Sequence, residues 1–113
     1  MLPSPRRLLD SLETDGALRV GLLAGGALAL EHLGEGDLLL LSRPAARCLA
    51  GLLDALPPQG AFALPDGSRL AAEGPDLRLS QGGYALVFLR REARDLAAAI
   101  AEMDALADDL EIT

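Results

Sequence analysis

The same local event occurs twice in this 113-residue chain: an apolar run passes, with no loop between, into an amphipathic helical pattern that carries arginines. The first instance is DLLLLSRPAARCLAGLL, from Asp37, and the second is YALVFLRREARDLAAAI, from Tyr84. At a spacing of 48 they align Leu38 with Leu86, Leu41 with Leu89, Arg43 with Arg91, Ala45 with Ala93 and Ala50 with Ala98. The alignment predicts two related units, each made of strands followed by a helix. Local strand pairing with covering helices is the pattern of an α+β fold.

The punctuation between these runs sets the expected elements. Pro3 and Pro5 keep the first residues irregular, and RRLLDSLE then places Leu8, Leu9 and Leu12 at helical spacing before Asp15-Gly16, which predicts a short N-terminal helix. Ala17 to Leu23 and Ala27 to Leu33 flank Ala24-Gly25-Gly26 and read as a hairpin, because paired glycines supply the positive φ that tight turns need. Gly34-Glu35-Gly36 makes a further turn, and Asp37 to Leu41 a third strand. Ser42 before Arg43-Pro44 is a helix-start signal: the hydroxyl can accept a first-turn N–H, and Pro is tolerated where its missing donor has no partner to lose. The helix carries Ala46, Leu49, Leu53 and Leu56 on one face and stops at Pro57-Pro58.

Beyond that boundary the rhythm is of short antiparallel strands: Ala61 to Leu64, Arg69 to Glu73, Leu77 to Ser80 and Tyr84 to Leu89, separated by Pro65-Asp66-Gly67, Gly74-Pro75-Asp76 and Gln81-Gly82-Gly83. A final helix is expected from about Arg90 to near Asp109. The fold class expected is therefore α+β: an antiparallel sheet of short strands with two main helices. One domain spans residues 1–113, divided into an N-terminal segment 1–16, a first strand-helix unit 17–58 and a second 59–113.

The last helix bears a stripe of Ala93, Leu96, Ile100, Met103, Ala107 and Leu110, which packs either on the chain's own sheet or against another chain. Its charges run against the helix dipole, with Arg90, Arg91 and Arg94 at the start and Asp104, Asp108, Asp109 and Glu111 at the end. Two copies lying antiparallel across a two-fold axis would set the arginines of one against the carboxylates of the other. Residues Arg90, Arg91, Arg94, Leu96, Ile100 and Met103 are accordingly the expected self-association face of a homodimer.

Composition argues against several function classes. The ten basic residues are all Arg, and against 17 acidic residues they leave a formal charge of −7, which opposes nonspecific nucleic-acid binding. Phe62, Tyr84 and Phe88 are too few for a base-stacking platform. The single His32 has no partner for a nucleophilic or metal site, and Cys48 lies within a helical pattern where a small buried hydrophobe is the ordinary reading. The AGG, GEG and QGG spots lack the strand and helix context that cradles phosphate. No catalytic residue, metal ligand or cofactor site is assigned, and the expectation is of a protein that is not an enzyme. One cysteine, no leader pattern and no apolar stretch of about 20 residues lead to the expectation of a cytoplasmic protein without a membrane partner.

Two resemblances sharpen these expectations. The order of a short N-terminal helix, strands, helix, strands and long final helix in a small acidic chain resembles the class I chaperones of type III secretion, a bacterial family, with RRLLDSLE standing for the leading Leu-rich helix. That resemblance implies a dimer that wraps unfolded segments of another protein along exposed sheet and apolar grooves. The second unit alone, four short strands and a helix ending in YALVFLRREARDLAAAI, looks like the module of the PC4-type single-stranded DNA binders, in which Arg69 and Arg78 would lie on the strands that hold the nucleic acid. The first implies a homodimeric, non-catalytic protein-binding adaptor or chaperone; the second, a nucleic-acid-binding alternative.

Overall fold

The structure, a computed structural model, describes residues 7–34 and 37–111. Four strands, β1 (Leu8–Glu13), β2 (Leu18–Leu23), β3 (Leu28–His32) and β4 (Leu39–Leu41), form an antiparallel meander and are followed by helix α1 (Arg43–Asp54). The same order recurs with β5 (Gln59–Ala63), β6 (Arg69–Glu73), β7 (Asp76–Gln81), β8 (Tyr84–Leu89), a single 3-10 turn at Arg90–Glu92 and helix α2 (Ala93–Asp109). The fold is α+β, with two four-stranded sheets in place of the one expected.

Period-two alternation decides which face of each sheet is buried. Leu18, Val20 and Leu22 on β2 share the inner face with Leu28 and Leu30 on β3 and with Leu39 and Leu41 on β4. Leu70, Ala72, Leu77, Leu79, Leu86 and Phe88 do the same in the second sheet. Glycines make the turns: Gly26, at φ 94°, lies in the β2–β3 hairpin, and Gly67, at φ 89°, closes the β5–β6 turn, where Asp66 accepts the Ser68 N–H at 2.9 Å. The Ser42 side chain accepts the Ala45 N–H at 3.2 Å and starts α1, as its sequence signal predicts.

The N-terminal helix expected over RRLLDSLE is corrected. Residues 1–6 lie outside the described part, as do residues 35–36 of the Gly34-Glu35-Gly36 turn, but Leu8–Glu13 form a strand paired with β2. A segment this short gains little from helical nucleation, whereas β2 offers it a ready ladder. The connection is a tight turn in which Thr14 N–H donates to Leu18 O at 2.8 Å and Ala17 takes φ 63°. A register shift between Leu8 and Asp10 lets the uneven leucine spacing fit a strand.

With β1 in place, both units are four strands and a helix, and the repeat register itself shifts by one. The residues buried alike are Leu39 and Leu86, Leu41 and Phe88, Ala46 and Ala93, Leu49 and Leu96, and Leu53 and Ile100, a spacing of 47 (39 to 86) rather than 48. The one-residue difference matters because it would send every strand side chain to the opposite face.

Core residues of both sheets and both helices form one continuous cluster. Helix α2, which follows the second sheet, lies on β1 and β2 of the first, and packs most extensively against α1. The sheets meet where β4 approaches β8. There the backbone groups of Leu40 that point away from β3 are taken by the Gln81 side chain: its Oε1 accepts the Leu40 N–H at 3.2 Å, and its Nε2 donates to the Leu40 carbonyl. Gln81 Nε2 also reaches Ser68 Oγ, a fully buried hydroxyl, at 3.2 Å. On the facing strand, the outward N–H of Ala85 is accepted by Asp37 Oδ2 at 3.0 Å. Side chains thus replace strand-to-strand pairing at the seam.

Candidate functional site: the uncovered faces of the two sheets

Alternation that buries one face of each sheet leaves the other toward solvent, and these outer faces differ in chemistry. On the first sheet, Gly21 of β2 and its cross-strand neighbour Ala29 of β3 form a flat apolar floor. Leu8 of β1 lies across it: a Cβ built on Gly21 would stand 2.6 Å from Leu8 Cδ1. Leu38, just ahead of β4, closes the other side, and the shallow cavity so formed has a volume of about 280 Å³. Leu8 and Leu38 are 50% and 53% exposed, unusually open for leucines flanking one groove. At its end Arg19 and Glu31, directly opposite each other on β2 and β3, are joined as an ion pair through Arg19 Nε and Nη2.

The second sheet turns Arg69, Ala71, Arg78 and Val87 outward, with Ala71, Arg78 and Val87 in one row across β6, β7 and β8. Val87 is 56% exposed. Glu73 and Asp76 share this face and lie opposite each other, so its charges are balanced. A cavity of about 340 Å³ lies over this row. Tyr84 is exposed but stands on the opposite side parity, at the first position of β8, paired with Gln81.

The apolar part of the expected self-association face on α2 is not a surface of this chain. Leu96, Ile100 and Met103 are 0%, 1% and 3% exposed, packed in the core against the first sheet and α1. Arg90 is a structural clamp: its guanidinium donates to the carbonyls of Gly74 at 2.6 Å, Leu56 at 3.3 Å, Pro57 at 2.9 Å and Pro58 at 3.0 Å, tying the chain after α1 to the start of α2. Arg91 and Arg94 are exposed.

The reversed charge order on α2 has its answer within the chain. Arg43 donates to Asp104 Oδ1 at 2.9 Å, to the Asp104 carbonyl at 3.1 Å and to Asp108 Oδ1 at 2.6 Å, and Arg47 reaches Asp104 Oδ2 at 2.8 Å. The N-terminus of α1 therefore lies beside the last turns of α2. Carboxylates that oppose the dipole of their own helix sit at the positive end of the other, and the arginines of α1 sit at the negative end of α2. Hydrogen bonding from Arg43 holds the Asp108 carboxyl below the usual aspartate range, and the bonds to Asp108 and Asp104 raise the Arg43 guanidinium further.

The candidate chemical residues remain apart. His32 ends β3 opposite Leu18, half-buried, with no hydrogen-bond partner for its Nδ1 among the described residues, and Cys48 is a half-buried thiol on α1 that packs against the core. Among the described residues no group of three His, Cys, Asp or Glu side chains is placed to hold a metal ion, and no helix is long and apolar enough to cross a membrane. Sequence reasoning placed Arg69 and Arg78 on strands, but it did not find the Gly21–Ala29 floor. The signal available for it was the pair of small residues among the large aliphatics of β2 and β3. Comparison of the chain with protein-family models, with curated proteins and with solved structures found no match.

Proposed function

We propose that this protein is a non-catalytic, homodimeric protein-binding module, an adaptor or chaperone-like domain that holds an extended apolar segment of another protein. The observation that carries the reading is the outer face of the first sheet, where exposed Leu8 and Leu38 flank a floor of Gly21 and Ala29 that neither described helix, α1 nor α2, covers. Leu8, Leu23 and Leu38 around the small-residue floor accept alternate apolar side chains of an extended segment, and the Arg19–Glu31 pair at its end offers both signs of charge. Two copies acting together present two such faces to one long segment, and the second contact is strengthened by effective concentration. The acidic surface keeps such an apolar-binding protein soluble.

Fluorescence anisotropy of a labelled, soluble peptide alternating Leu with Thr tests this. Wild type and Val87→Asp are expected to bind it alike, while Leu38→Asp weakens binding by about tenfold or more. Equal binding by Leu38→Asp, or none by wild type, removes the reading.

One observation favours a second reading: Arg69 and Arg78 both stand on the open face of the second sheet, as a single-strand binder of the PC4 type would need. The balancing carboxylates of Glu73 and Asp76 and the absence of an aromatic among the described outward residues of that sheet weigh on the other side. Mobility shift of a labelled oligonucleotide at low salt, abolished by Arg78→Glu, would move the assignment to nucleic acid.

A further inference from the structure

Four strands in this fold border a sheet edge, and three of them have side chains that occupy edge backbone groups. Gln81 takes both groups of Leu40 on β4, Asp37 takes the Ala85 N–H of β8, and on β1 the Asp10 carboxylate accepts the N–H of Ser11 at 2.8 Å. An unpaired edge is an invitation to another strand, and these contacts decline it. The fourth edge is β5. Bonds from Leu64 N to Ser68 O at 2.8 Å and from Gly74 N to Pro58 O at 3.1 Å fix the parity of the β5–β6 ladder, so that Phe62 and Gly60 bond inward to β6. Gln59, Ala61 and Ala63 consequently turn their N–H and C=O groups outward, and among the described residues no side chain hydrogen-bonds to them.

We propose that two copies of this chain associate by antiparallel pairing of their β5 strands about Ala61, which joins the two second-unit sheets into one of eight strands. The inference rests on the homodimer of the preceding reading and names its surface. Three features of β5 fit it to itself. Centred on Ala61, the pairing sets Ala61 opposite its own copy and Gln59 opposite Ala63, all with outward hydrogen-bonding groups. It also sets each Phe62 opposite the partner's Gly60, in the closer, non-hydrogen-bonded type of pair where an aromatic ring needs room. Phe62 is half-buried and lies outside the core cluster, with its ring against its own Gly60: a Cβ there would be 3.0 Å from the ring.

The third feature is charge. QGAFA carries no charge, so its self-pairing brings no like charges together in a chain of net charge −7. Self-pairing of β1, the other outer edge, would crowd Asp10 and Glu13 against their copies. The uncharged edges β4 and β8 are already occupied by each other within the chain, which leaves β5 as the uncharged edge open to a second copy.

Sedimentation and cross-linking test the surface. Wild type is expected to sediment as a dimer and Ala61→Pro as a monomer with an unchanged circular dichroism spectrum, since the Ala61 N–H plays no part in the ladder to β6. In a Cys48→Ala background, Ala61→Cys is expected to form an interchain disulfide on mild oxidation, because facing Cα atoms in such a pair lie about 5.5 Å apart, and Ala63→Cys to form far less. If Ala61→Pro fails to fold, the cross-linking pattern alone decides. A dimeric Ala61→Pro, or Ala63→Cys cross-linking as readily as Ala61→Cys, overturns the β5 surface while leaving a dimer. A wild type that stays monomeric at the highest attainable concentration overturns the dimer and this surface together, while the peptide titration still judges the binding face on its own.

Discussion

The side-chain amide of Gln81 holds both the N–H and the carbonyl of Leu40, standing where a neighbouring strand would stand. An amide is the side-chain group that can donate and accept like a peptide unit, so the exchange leaves neither Leu40 group without a partner.

Replacement of Gln81 tests the weight of that contact. Gln81→Leu should lower the free energy of unfolding by about 1–3 kcal/mol, because the Leu40 groups lose their partner in a partly buried place. Gln81→Glu should also destabilise, since a carboxylate cannot donate to the carbonyl. Urea denaturation of the three proteins measures both.

The pair of Arg43 with Asp104 should outweigh that of Arg47 with the same carboxylate. The Arg43 side chain is 13% exposed and that of Arg47 is 55% exposed. Arg43→Met is expected to cost about 1.5–3 kcal/mol, in line with hydrogen bonds to a charged partner away from bulk water, and Arg47→Met less than about 1 kcal/mol. A double-mutant cycle with Asp104→Asn separates the pairwise part.

Acid should dissolve the contribution of Asp108. Its carboxyl titrates lower in the folded chain than in the unfolded one, because Arg43 bonds to the charged form. The unfolded state therefore binds the proton first as pH falls, and the stabilisation is complete above the ordinary aspartate range and lost as pH drops through the lowered native value. The stability difference between wild type and Asp108→Asn, followed by denaturant titration from neutral to acid pH, should shrink toward zero in that window.

Substitution of Ile100 should act on folding before it acts on association. At 1% exposure, Ile100→Asp places an unpaired carboxylate in the core and should abolish cooperative thermal unfolding. Ala17→Gly should do the opposite. Ala17 is exposed and held at φ 63°, so relief of the left-handed strain is expected to add about 0.5–1 kcal/mol, read as a rise in melting temperature.

Much of the architecture is legible in the residues, and the failures have physical causes. Gly, Pro and Asp mark the turns from Gly25 to Gly83, and Ser42-Arg43-Pro44 announces α1, because these residues act through their own backbone and need no distant partner. Leu8, Leu9 and Leu12 mislead because their spacing also suits a helix, and only the neighbouring β2 ladder decides. The repeat is visible, but Leu and Ala are so common that the alignment slips by one residue until burial shows which side each faces. The destination of Asp104 and Asp108 depends on Arg43 and Arg47, about sixty residues away, and a helix alone cannot say whether its counter-charges lie in the same molecule. The groove over Gly21 and Ala29 is silent for a related reason: small residues in a strand carry no instruction about what is to lie above them.

Helix α2 packs on β1, which places the end of the described chain against its beginning. The order of synthesis then matters. A ribosome that has released β1 to β4 and α1 has released a sheet whose roof is not yet made, and its inner leucines stay open until α2 has emerged. Contacts between segments so distant in sequence also slow the closing step. The residues of α2 are thus the ones that let β1 and β2 settle, so shortening α2 should expose the first sheet's interior rather than merely trim the second.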